Sequence, residues 1–86
     1  MKVIRKDEPE RVDHSDAPIF FGGRVMGQSV VGEESNNFIM GIVEFERGAR
    51  NHFHSHTTDQ ILYATSGTGI VATEGGEVVM REGDTA

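Results

Sequence analysis

Apolar residues in this chain fall in short runs separated by glycine-rich turns, and no stretch repeats them convincingly at helical spacing. The clearest run is FIMGIVEFE, residues 38 to 46, apolar on both faces at its start and alternating towards its end; it predicts a strand ended by Gly48. IFFGGRVMGQSVV, residues 19 to 31, predicts one or two strands broken at Gly22 and Gly23, followed by a turn in GEESNN. Residues 51 to 56 predict another strand, TTD a turn, and QILYATSG the next strand. GIVATEGGEVVMREGD predicts a hairpin centred on Gly75 and Gly76, with strands 69 to 73 and 77 to 81. At the N-terminus KVIR predicts an edge strand, and residues 6 to 18, with Pro9 and Pro18, a polar arm or loop. Strands of this length at regular spacing imply an all-β sandwich or barrel, read here as one domain over residues 1 to 86.

The same alternation nominates Phe38, Met40, Ile42 and Phe45 for the core, with Leu62 and Ala64 facing the interior and Tyr63 the opposite side. An 86-residue chain holds at most one small domain, because short chains bury a smaller share of their surface than long ones. Eight Lys or Arg stand against fourteen Asp or Glu, a formal charge of −6, and the basic residues are scattered. Nucleic-acid binding needs a concentrated basic face, so a small-molecule partner is expected instead. The lack of cysteine excludes disulfides, thiolate metal sites and a cysteine nucleophile; any metal must be held by nitrogen and oxygen. The charged N-terminus lacks the apolar core of a signal peptide, and no run approaches the roughly 20 apolar residues of a membrane span. A cytoplasmic protein with no membrane partner is the expectation.

The chemistry is concentrated in NHFHSHTTDQ, residues 51 to 60. On a strand His52, His54 and His56 project to one side, with Phe53 and Ser55 on the other, and two imidazoles two residues apart can converge on one ion. After the turn the returning chain brings Gln60 beside them, where its amide oxygen can serve as a further ligand. Spacing alone leaves this metal site and a merely polar, exposed strand both open. At a rise of about 3.3 Å per residue, His52 and His56 lie some 13 Å apart, so three histidines do not easily share one ion; His52 reads as a rim residue and the only candidate general base. Arg50, Asp59 and His14 read as solvated surface and turn residues.

In its wider context, GARNHFHSHTTDQILYATSG resembles the first signature motif of the cupin family, with Gly48, His54, His56, position 60 and Gly67 in register. The usual glutamate is replaced by Gln60, similar to a subset of small single-domain cupins that includes manganese-dependent hydroxynitrile lyases and the cupins associated with carboxymuconolactone decarboxylases. The second motif, which carries a fourth ligand, is not found before Ala86. The resemblance implies an antiparallel jelly-roll β-barrel (a double-stranded β-helix), here incomplete at its C-terminus, with His54, His56 and Gln60 holding a divalent metal. Manganese or iron is expected ahead of zinc or nickel. It also implies a homodimer joined through β-strands. Three neutral ligands leave an ion's charge undiminished, which predicts Lewis-acid catalysis on a small organic substrate, of lyase or isomerase type ahead of dioxygenase. A cupin module that binds or senses a small ligand or metal without turnover is the alternative.

Overall fold

The computed structural model describes residues 1 to 86 and contains strands, turns and no helix, so the all-β, antiparallel reading holds. No helix is long and apolar enough to cross a membrane. Its contacts cluster into two compact units, Met1–His52 and Phe53–Ala86.

In the first unit, strands β1 (Arg11–Asp13), β3 (Val25–Val31) and β4 (Met40–Phe45) form an antiparallel sheet in the order β1-β3-β4. The predicted N-terminal strand at residues 2 to 5 does not form. The edge strand lies instead at Arg11–Asp13, inside the stretch read as an arm, and the arm itself is tied down by Gln28, whose amide donates to the carbonyls of Lys6 and Pro9. β3 begins just beyond the Gly22-Gly23 break, as the sequence implies, and slips register between Ser29 and Val31. Its registers, Val12 with Gly27 with Val43 and Val25 with Phe45, put those five residues on one face. The other face carries Gln28, Ile42 and the Arg11–Glu44 ion pair.

Val25 is fully buried, and Phe20 meets Phe45 edge to face at 5.9 Å. The other nominated core residues are far less covered: Phe38 is 73% exposed, Met40 54% and Phe45 47%, and only Ile42 is half-buried. Of the nominated residues of β4 only Phe45 lies on the apolar face, beside Val43, while Met40 and Ile42 alternate to the other; β4 lies at the edge of a three-stranded sheet, where an apolar residue has a neighbour on one side only.

Two further devices shape this unit. β2 (Phe20–Phe21) pairs with β5 (Arg50–Asn51), and between β4 and β5 the Glu46–Ala49 turn closes with Ala49 N–H donating to Glu46 at 2.8 Å. Gly48 occupies the third position of that turn at φ +87°, a conformation that costs glycine little. Gly22, at φ +86°, passes so close that a Cβ built on it would lie 2.6 Å from the Gly48 carbonyl oxygen. Backbone packs on backbone here because neither residue has a side chain.

The corner after β1 is held by Ser15. Its amide donates to the Asp13 carboxylate at 2.8 Å, and its hydroxyl oxygen accepts from the Val25 amide at 2.9 Å. Hydrogen bonding from the Ser15 side chain, then from its backbone, holds the Asp13 carboxyl below its ordinary 3.8. A lowered folded pKa means this stabilisation is complete above the unfolded value and fades as pH falls through the folded one. Ser15→Ala strands the Val25 amide and is expected to cost about 1–2 kcal/mol in urea unfolding at pH 7, with a smaller difference from the parent near pH 3. An equal cost at both pH values would assign the loss to the Val25 bond alone.

In the second unit, β6 (Thr68–Thr73) and β7 (Gly76–Arg81) form the hairpin, with Glu74 and Gly75 as its two-residue loop. The turn therefore sits one residue earlier than read, because the Thr73 hydroxyl accepts from the Gly75 amide and closes it there. Met80 is the buried side chain of this unit. Beyond β7 the chain turns through Gly83 at φ +89° and returns beside residues 62 to 64. There Leu62 and Ala86 exchange both backbone bonds, Ala64 donates to Asp84, and Tyr63 stands opposite Thr85 in an antiparallel bridge.

Candidate metal centre

The segment read as a strand over residues 51 to 56 is ordered differently. Its ladder covers only Arg50–Asn51, extended by one bond from the His52 amide to the Ile19 carbonyl at 2.7 Å. The limit lies in β2: it is two residues long, and the residue preceding Ile19 is Pro18, which has no N–H to donate. From His52 to Leu62 the chain runs without regular strand.

His54 and His56 nevertheless come together. Their ring centroids are 4.9 Å apart with planes at 85°, and both side chains are exposed. This separation brings two imidazoles within reach of one ion, since each ring can stand about 3.2 Å from a metal bound at a nitrogen. No third His, Cys, Asp or Glu joins them in a potential metal-holding group, so the donor that completes a protein triad has to be of another kind. Gln60 carries an amide oxygen, lies four residues beyond His56 in the same unit, and is also exposed. Two imidazole nitrogens and one neutral oxygen fit a borderline divalent ion and suit calcium or magnesium poorly.

His52 belongs to the first unit, where its ring stacks on Phe21 with centroids 4.4 Å apart and planes at 26°. Arg50 stands opposite Phe21 in the β2–β5 register. The histidine that sequence reading passed over as surface, His14, is exposed, yet its ring lies directly against the sheet. A Cβ on Gly27 would meet its Cδ2 and Nε2 at 2.7 and 2.8 Å. The signal was present in the alternation Val12-Asp13-His14, which sets His14 on the apolar side of β1, but residues 6 to 18 did not read as containing a strand.

Residues 41 to 86, more than half of the chain, match a family model described as a cupin domain. No curated protein and no solved structure matches the chain.

Proposed function

Because the chain belongs to the cupin family, we propose that it is a metal-binding cupin in which His54, His56 and Gln60 hold one divalent ion, manganese or iron ahead of zinc or nickel, and act on a small organic molecule. The observation that carries this reading is the 4.9 Å approach of two imidazoles inside the family-matched segment. An ion held there supplies Lewis acidity towards a carbonyl, hydroxyl or water. The protein's own contribution is a set of neutral donors: neither imidazole nor amide offsets positive charge as a glutamate would. That set favours polarising a substrate, in a lyase or isomerase, over oxygen activation. His52, the one candidate general base that the sequence offers, is the residue proposed to take up or return a proton.

The exposure of all three proposed ligands favours a second reading. Water reaches the site, and electrostatic catalysis draws its strength from excluding water. A cupin that binds or senses a small ligand or metal without turnover has no such requirement. Product formation from cyanohydrins, keto acids or lactones, dependent on added manganese or iron, is the outcome expected of the enzyme. Thermal stabilisation by metal or ligand without product would decide for the binding module. Substrate-dependent oxygen uptake with iron would reverse the order of lyase and dioxygenase.

We also propose a homodimer. It is supported by the apolar side chains that β4 and its approach leave uncovered, Ile39 at 90% exposure foremost, beside an edge strand with unpaired backbone groups.

A further inference from the structure

β2 and β5 form a ribbon of two short strands whose two sides differ in kind. Phe20 turns to one side and packs edge to face on Phe45. Alternation sends Phe21 to the other, where Arg50 stands directly across from it and His52, two residues further along, lies on its diagonal. There the His52 ring stacks on Phe21, with centroids 4.4 Å apart and planes at 26°. His52 is anchored through its backbone as well, since its amide donates to the Ile19 carbonyl at 2.7 Å. The result is an exposed pair of nearly parallel rings with a guanidinium beside it, on the far side of the ribbon from the Phe20–Phe45 contact.

Arg50 has no counter-ion within the chain. Fourteen Asp or Glu are present, but the one ion pair joins Arg11 to Glu44. Glu46, the carboxylate of the turn before β5, accepts instead from the Arg24 amide at 2.8 Å. A guanidinium takes a carboxylate through two parallel N–H bonds, and an aromatic stack accepts a further ring in offset or edge contact. Both kinds of surface meet at Arg50 and Phe21.

We propose that Arg50, Phe21 and His52 form a binding site for a small aromatic carboxylate. Its carboxylate pairs with the Arg50 fork, and its ring lies against the Phe21–His52 stack. The site falls wholly within the first unit, needs no metal, and uses His52 as a flat surface irrespective of any proton it carries.

The test uses metal-free protein and three probes followed by NMR: benzoate; benzamide, which keeps the ring without the charge; and acetate, which keeps the charge without the ring. Benzoate is expected to shift the His52 and Phe21 ring signals and the amides of residues 50 to 52, and to bind about ten-fold more tightly than either control. Added salt should narrow its lead over benzamide, because the pairing is exposed to solvent. Arg50→Gln is expected to bring benzoate down to the level of benzamide, with Arg50→Lys between, and Phe21→Leu to bring it down to that of acetate. Amide signals from β3 and β4 report that each variant is folded. Equal binding of benzoate and benzamide by the parent, a preference that survives in Arg50→Gln, or shifts confined to other residues would each overturn the proposal. Because metal is absent throughout, these outcomes are independent of the fate of the metal centre.

Discussion

Protein dialysed exhaustively after loading with manganese is expected to retain close to one ion per chain, and His54→Ala to retain almost none. Two imidazoles and one amide oxygen constitute the proposed protein ligand set, so deleting one imidazole removes a third of it. Changing mere hydrogen-bond partners of ligands costs about 10–100-fold in metal affinity, and loss of a ligand itself is expected to exceed the upper figure. His56→Ala should match His54→Ala, since each removes one of the two proposed imidazole ligands. Gln60→Ala should fall between these and the parent, because an amide oxygen is the weakest donor of the three and water can replace it. Gln60→Glu is expected to tighten binding by adding a negative charge, at the cost of Lewis acidity. His52→Ala, with its ring on Phe21, should leave metal content unchanged. Equal metal in the parent and His54→Ala, or none in the parent, would remove the metal centre as described.

The largest effect on stability is expected from Gly22→Ala, a loss of about 3 kcal/mol. Two penalties coincide there. The backbone is at φ +86°, where an L side chain is strained, and the new methyl would stand 2.6 Å from a carbonyl oxygen that is part of the chain and has no rotamer by which to move aside. Gly48→Ala separates the two, because it has nearly the same φ, +87°, while its nearest atom is at an ordinary 3.6 Å. It is expected to cost about 1 kcal/mol. Urea unfolding followed through amides of residues 20 to 50 measures both. Equal losses would mean that the close approach of the two turns contributes nothing to the first unit.

How far the sequence discloses this molecule depends on what kind of signal each part emits. β4 and the β6–β7 hairpin were legible because alternation and glycine turns are local, and the hairpin missed by a single residue only because a threonine hydroxyl, not glycine geometry, closes its loop. The strand expected through His52, His54 and His56 was not, since a strand's length is set by its partner, and that partner ends at a proline thirty-odd residues away in sequence. Phe38, Met40 and Phe45 were legible as apolar but not as exposed, because burial depends on what covers a face. For the candidate site, HxH spacing marked His54 and His56 as a pair; the 85° crossing of their rings arises in the irregular stretch beyond β5 and has no signature in spacing.

Tyr63 is the only tyrosine, and the chain has no tryptophan. It stands opposite Thr85 where the end of the chain pairs back on residues 62 to 64, with its side chain 63% exposed. All ultraviolet fluorescence excited beyond the phenylalanine band therefore originates from one ring in the second unit. Its polarisation reports whether the terminal residues are docked, and its accessibility to a collisional quencher such as iodide reports whether they have peeled away. The first unit is dark at those wavelengths, so an emission-detected melting curve describes Phe53–Ala86 alone.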